Sequence, residues 1–267
     1  MKRGTKRVME KYFEINDVGI NIKSKMYCNN VRNVNNVVLS CHGFGGNKEN
    51  NASKKLAETL LDKYEDLAVI TFDWPCHGKD VRQKLNLTDC NDYLDTVINY
   101  IKNDMHVDNI CFQGTSFGGY LVLKYISEHD NPFKKIALRC PAVNMYNVLT
   151  EKILTPEQLE NVNKGKIENA GFERKIKIDS NLVNELREND IMHRSYIDMA
   201  DDILIMHGTE DEVVDYDIDK AFCEENVIDF ITIEGADHIY RNPAKLRECI
   251  THIDNFYQGI FDAKKNK

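Results

Sequence analysis

Gly114-Thr115-Ser116-Phe117-Gly118-Gly119 (GTSFGG) stands where the chain changes its hydrophobic period. Before it, NICFQ (109–113) is short and mostly apolar, the pattern of a strand covered on both faces. After it, FGGYLVLKYISEH (117–129) repeats apolar residues at helical spacing. Gly-x-Ser-x-Gly between a strand and a helix reads as a nucleophile elbow, a sharp strained turn that lifts the serine hydroxyl out of a sheet. Gly114 and Gly118 suit the close approach of helix to strand that such a turn demands. The helix N-terminus below Ser116 favours developing negative charge.

Outward from the elbow, strands and helices alternate. KYFEI (11–15) and GINIKSKMY (19–27) alternate apolar and polar residues and predict an edge hairpin turning at Asn16-Asp17. Buried-strand runs follow in NNVVLSC (35–41), LAVITFD (67–73), NICFQG (109–114), KKIALRC (134–140), DDILIMHG (201–208) and VIDFITIEG (227–235). Helical patterns separate the early ones, at ASKKLAETLLDKY (52–64), at about 91–103 and at 117–129, and a last helix spans about 242–258. This order predicts an α/β fold: a mostly parallel central sheet with helices on both faces and an antiparallel hairpin at its N-terminal edge. Residues 144–199 break the alternation. They are charged, with helical patterns at 147–163 and 180–190 and a strand-like ERKIKI (173–178), and read as a small cap insertion on a core of 1–143 and 200–267.

A serine hydroxyl needs a base, and the base needs a partner that fixes its tautomer. Of eight histidines, His238 in EGADH follows the last strand run, where its loop can reach back over Ser116. Asp211 in HGTEDEVVD follows the preceding strand, on the same sheet edge. Ser116, Asp211, His238 is the chain order of an α/β-hydrolase triad. Glu210, Glu212 and Asp237 are the competing acids; Asp237 directly precedes His238, and an immediate neighbour seldom reaches its ring. His207 reads as a loop-ordering residue, His77 as shaping the DWPCHGKD loop, and His106, His129, His193 and His252 as surface residues.

The tetrahedral intermediate needs backbone donors. Phe117, after the nucleophile, supplies one N–H, and Phe44, in the glycine-rich loop CHGFGG (41–46), the other. Gly43, Trp74 and Tyr146 are the candidate pocket residues, with the alternative that such aromatics are simply core. That loop matches neither nucleotide-binding glycine spacing, so no nucleotide is expected, and a serine mechanism of this kind needs no metal or cofactor.

Bulk properties narrow the partners. The net charge of −8 disfavours nucleic acid, and the basic clusters (Lys2, Arg3, Lys6, Arg7; Lys264, Lys265, Lys267) lie at the two ends. No run approaches the length of a membrane span, and the basic N-terminus lacks an apolar export segment. Eight cysteines without C-x-x-C or zinc spacing read as small buried hydrophobes of a reducing, cytoplasmic protein.

Five blocks in order, HGFGG, FDWPCHGKD, GTSFGG, HGTEDEVVD and EGADH, resemble the α/β-hydrolase superfamily. The likeness is strongest to its serine-aminopeptidase-like and monoacylglycerol-lipase-like esterases, including the cinnamoyl (feruloyl) esterases. It runs from Asn36 to about His238, the insertion excepted. The resemblance implies Ser116 as nucleophile, His238 as base, Asp211 as its acid, Phe44 and Phe117 as oxyanion donors, and 144–199 as the cap over the pocket. It implies a serine carboxylesterase acting on small-molecule esters of small to medium acyl or aromatic acids. The alternatives are an aminopeptidase or amidase on the same triad, an acyltransferase, or a non-catalytic binding protein. Thr115, Cys76 and Asp80 depart from the histidine, glycine and serine frequent at those places.

Overall fold

The computed structural model describes residues 8–172 and 174–261. The basic ends fall outside that range, as does Glu173 of the strand-like ERKIKI stretch. A single eight-stranded sheet runs through the molecule. Its strands are β1 (Met9–Asp17), β2 (Ile20–Cys28), β3 (Asn36–Cys41), β4 (Leu67–Phe72), β5 (Asn109–Thr115), β6 (Ile136–Arg139), β9 (Ile203–Gly208) and β10 (Asp229–Ile233), and a separate short pair, β7 (Glu168–Ala170) and β8 (Ile176–Ile178), lies in the insertion. The order across the large sheet is β1-β2-β4-β3-β5-β6-β9-β10. β1 and β2 form the antiparallel edge, and every pairing from β4 onward is parallel. The hairpin turns two residues later than expected. Asp17 pairs with Ile20, leaving Val18-Gly19 as the loop, and Gly19 at φ +74 supplies the left-handed backbone such a tight turn requires.

Parallel strands need crossovers, and helices provide them: α1 (Asn51–Lys63), α2 (Leu87–Asn99), α3 (Phe117–Glu128) and α7 (Tyr216–Asn226), while α8 (Pro243–Phe256) follows the last strand. All residues of β3 and β4 are buried, as expected for strands covered on both faces. Val38, Val69, Cys111, Ala137 and Met206 point to one face and pack with α1 and α8. Val37, Leu39, Ile70, Phe112 and Leu138 point to the other, toward α2 and α3. α2 begins four residues before the sequence pattern suggests, because Asn86 caps it through the Asp89 N–H, and a π-helical turn (Tyr100–Asp104) extends it. α7 has no counterpart in the sequence-based reading.

The insertion contains α4 (Met145–Asn147) running into a π-helical turn (Val148–Ile153), α5 (Pro156–Asn163), the antiparallel β7–β8 pair, and α6 (Ser180–Glu188). Its apolar residues Leu149, Val162, Ile176, Leu182 and Leu186 join the same core cluster as Phe44 and Phe117. It therefore packs as a part of the main body over the C-terminal edge of the sheet. Arg174 straps it there: its backbone N–H donates to Gly45 O (3.0 Å) and its guanidinium to Gly78 O.

Candidate active site

Ser116 joins β5 to α3 at φ 53, ψ −118, a backbone region costly for a residue with a Cβ. The surrounding hydrogen bonds hold it there. Ser116 N–H donates to Arg139 O (3.1 Å), and Ser116 O accepts from the N–H groups of Gly119, Tyr120 and Ala142 (2.9, 3.0 and 3.1 Å). The glycines are there for space. A Cβ at Gly118 would lie 2.7 Å from His42 O, one at Gly119 2.7 Å from Pro141 Cβ, and one at Gly114 2.7 Å from the Phe112 ring. Gly118→Ala is expected to cost about 1–3 kcal/mol through this overpacking, measured as a lowered urea midpoint with an unchanged slope.

Two loops face the elbow. After β3, Gly46 N–H closes a turn on Gly43 O (3.1 Å), with Gly45 at φ +76 in the position that demands glycine. A Cβ on Gly43 would lie 3.1 Å from Ser116 Cβ and 3.6 Å from its Oγ, so glycine keeps the space beside the hydroxyl open. Phe44 lies within that turn and Phe117 starts α3, where N–H groups have no partner within the helix. Their rings meet edge to face at 5.6 Å. Trp74 is fully buried, its indole N–H on His42 O (3.2 Å), and braces this loop from behind. Tyr146, half-buried on α4, stacks beneath the Arg187 guanidinium and accepts a hydrogen bond from it (3.2 Å).

His42 and His77 lie under the same loop, ring centroids 5.3 Å apart. Each Nδ1 donates to a backbone carbonyl, Gly43 O and Pro75 O respectively (both 2.8 Å). Burial holds both rings neutral, with pKa values down at about 4 for His42 and about 3 for His77. The loop after β4 is fastened by Asp73, which accepts from Lys48 Nζ (2.7 Å) and the Lys79 N–H (2.8 Å), and by Asp80, which accepts from the Cys76 N–H (2.8 Å) and Tyr93 OH (2.6 Å). Asp80, the departure from the family pattern, thus orders this loop.

Asp211 and His238 are joined. His238 Nδ1 donates to Asp211 Oδ2 at 2.7 Å, and both side chains are enclosed. The other carboxylate oxygen accepts from the N–H groups of Val213 and Val214 (both 2.8 Å), which fixes its orientation. Burial opposes ionisation of Asp211, but the hydrogen bonds from His207 and His238 outweigh it and hold its pKa well below the carboxylate range. Burial likewise opposes the His238 cation, yet the bond to Asp211 dominates and its pKa rises to about 9. The competing acids sit elsewhere: Glu210 is exposed, Asp237 pairs with Arg241 (3.0 Å), and Glu212 pairs with Arg241 and accepts from the His238 backbone N–H (both 3.3 Å) rather than from its ring.

His207 does more than order a loop. Its Nε2 lies 3.2 Å from Asp211 Oδ2, and its Nδ1 lies 2.8 Å from Asp219 Oδ2 of α7. His207 opens the HGTEDEVVD block but nothing there announces its partners, and an aspartate within a helix, like Asp219, is an ordinary sequence feature. Among the described residues, Cys140, His207 and Asp211 alone bring metal-ligating atoms of three side chains within 4.8 Å of one another. In that cluster Asp211 already serves His238, and both ring nitrogens of His207 face hydrogen-bond acceptors.

The family model for the alpha/beta hydrolase fold matches residues 36–166. The chain has the α/β-hydrolase fold. It superposes on Est1E from Butyrivibrio proteoclasticus, solved with ferulic acid bound, with a TM-score of 0.70 at 22% identity, covering 91% of this chain and 97% of that one. Alpha/beta hydrolase domain-containing protein 10 from mouse gives 0.68 at 16% identity, covering 92% and 97%. An alpha-beta serine hydrolase homologue from Coxiella burnetii gives 0.60 at 16% identity, covering 92% and 96%. No curated protein matches the chain by sequence. Among the described residues of this chain no helix is long and apolar enough to cross a membrane, and all eight cysteines are buried and free of disulfides.

Proposed function

We propose that this chain is a serine carboxylesterase acting on small-molecule esters through an acyl-enzyme. The observation that carries the reading is the buried Asp211–His238 hydrogen bond on the sheet edge that also holds Ser116 in its elbow. With Nδ1 donating to Asp211, His238 keeps the Nε2 lone pair as the base. It takes the Ser116 proton as Oγ attacks the ester carbon. The N–H groups of Phe44 and Phe117 receive the oxyanion, each such donor worth roughly 10²–10³ in rate. His238 then returns the proton to the leaving alcohol, and a water deprotonated by the same nitrogen releases the acid. Asp211 holds the tautomer throughout.

The apolar rings of Phe44 and Phe117 beside the elbow favour small to medium acyl or aromatic acids. Est1E, solved with ferulic acid, is a neighbour in keeping with the aromatic class. Eight unpaired buried cysteines fit a cytoplasmic location. Intact-mass spectrometry after fluorophosphonate treatment tests the chemistry. One adduct, with loss of fluoride, is expected on wild type and none on Ser116→Ala. A folded wild type that takes up no adduct would bring forward the reading of a non-catalytic binding protein.

A further inference from the structure

Asp211 accepts more than the base requires. Its Oδ2 receives His238 Nδ1 at 2.7 Å, His207 Nε2 lies 3.2 Å from the same oxygen while also facing Val214 O, and His207 Nδ1 meets Asp219. The side chains of His207, Asp211 and Asp219 are all fully enclosed. We propose that His207 and Asp219 are positioning residues for the proposed triad: His207 clamps the carboxylate oxygen that serves His238, and Asp219 holds His207 in register.

The hydrogen-bond partners define the protons. His207 Nε2 faces Asp211 Oδ2 and Val214 O (3.2 Å), both acceptors, so Nε2 carries a hydrogen. Nδ1 faces only the Asp219 carboxyl, so one proton lies between those two groups. Burial disfavours the His207 cation, but the two carboxylates outweigh it and raise its pKa strongly. With that shared proton counted, Asp211, His207 and Asp219 together carry one negative charge. His238 sees an oriented anion at rest, and the buried cluster becomes neutral when His238 takes the Ser116 proton. Without His207, Asp211 Oδ2 would be held by His238 alone.

The chain of contacts also explains the placement of α7. It starts at its Asp215 cap, and its first turn delivers Asp219 to the back of β9. The rings of Tyr216 (5.6 Å, edge-on) and Phe230 of β10 (6.4 Å) pack against His207 and against each other (5.4 Å).

The inference rests on the serine-esterase reading, and the experiment separates the two. Hydrolysis of p-nitrophenyl butyrate and the rate of fluorophosphonate labelling are measured for wild type, His207→Leu, His207→Gln, Asp219→Asn and the double variant His207→Leu/Asp219→Asn. Displacing a catalytic group by about 1 Å can cost about 10²-fold, so His207→Leu is expected to lose about tenfold to a hundredfold in kcat with KM within twofold. His207→Gln, whose amide can reach Asp211 as a donor, should recover most of that loss. Asp219→Asn should cost severalfold when His207 is present and nothing further in the His207→Leu background, because both act through one oxygen. If His207→Leu does not fold, His207→Gln and Asp219→Asn decide: near-wild-type kcat for the first and a kcat loss for the second are required. Wild-type kcat in Asp219→Asn and His207→Leu, or a loss confined to KM, overturns the inference and leaves the triad standing. A wild type that neither turns over the ester nor is labelled sinks both.

Discussion

Asp211→Asn is expected to lower kcat about 10⁴-fold, the scale seen when a serine-hydrolase triad loses its carboxylate, while leaving the chain folded. The reason lies in the number of acceptors. Asp211 Oδ1 takes two backbone N–H groups, and Oδ2 takes the ring hydrogen of His238 with His207 Nε2 3.2 Å away. Asparagine offers one oxygen. If it stays on Val213 and Val214, the amide NH₂ faces both imidazoles. His238 must then turn its Nδ1 lone pair toward the amide and carry its hydrogen on Nε2, so it can no longer accept the Ser116 proton. The pH profile adds a second signature. Catalysis needs neutral His238, and Asp211 raises its pKa above the ordinary imidazole value, so the acid limb of kcat/KM for wild type should lie above about 6.5. In Asp211→Asn the residual activity should show that limb moved to lower pH. Glu210→Gln, Glu212→Gln and Asp237→Asn should each stay within a few-fold of wild type. Near-full activity in Asp211→Asn alongside collapse in one of these would reassign the acid.

The elbow was legible because its chemistry and its fold share one signal. Ser116 needs small neighbours on a strand-to-helix turn, and the same glycines that permit the close packing mark the turn in sequence. The parallel strands were legible because burial on both faces writes continuous apolar runs such as LAVITF. α7 was not. Its core-facing stripe of Ile218, Phe222 and Cys223 is interrupted by Asp219, a charged residue in a buried helical position, so the apolar period that would announce a helix is broken. The residue that hid the helix is the one bonded to His207. His207 itself ends an apolar strand, and its partners come from positions 211 and 219, contacts that only the folded sheet edge creates. Trp74 shows the reverse case. A large aromatic in a loop beside the site suggests a pocket wall, whereas its indole N–H on His42 O turns it into the brace of the glycine-rich loop.

Acid is expected to unfold this chain, starting at that same loop, before its exposed carboxylates are protonated. His42 and His77 are neutral in the folded state, with pKa values pushed down by burial to about 4 and about 3, against about 6.5 in the unfolded chain. Below pH 6.5 the unfolded chain binds protons that the folded chain refuses, so stability falls with falling pH. At about 1.4 kcal/mol per pH unit, each histidine removes on the order of 3 kcal/mol by pH 4. Their sum is a large share of the 5–15 kcal/mol typical of a whole domain. The other buried histidines do not produce this slope. His207 and His238 have raised values, so their protonated forms are stabilising at low pH and that contribution fades only as pH rises through their folded values. Asp211, held low, weakens only below the ordinary carboxylate range. Protonating His42 would also forfeit the bond that its Nε2 accepts from the Trp74 N–H (3.4 Å), and with it the support of Gly43 and Phe44. Activity should therefore fall cooperatively near the unfolding midpoint, in addition to the limb set by His238. Urea unfolding at pH 7, 5.5 and 4.5 measures the slope, and His77→Asn, which can keep the donor to Pro75 O, should reduce it by about half. Stability unchanged between pH 7 and 4.5, or NMR titration of both rings near 6.5, would show that these histidines are open to water and that the loop does not depend on their neutrality.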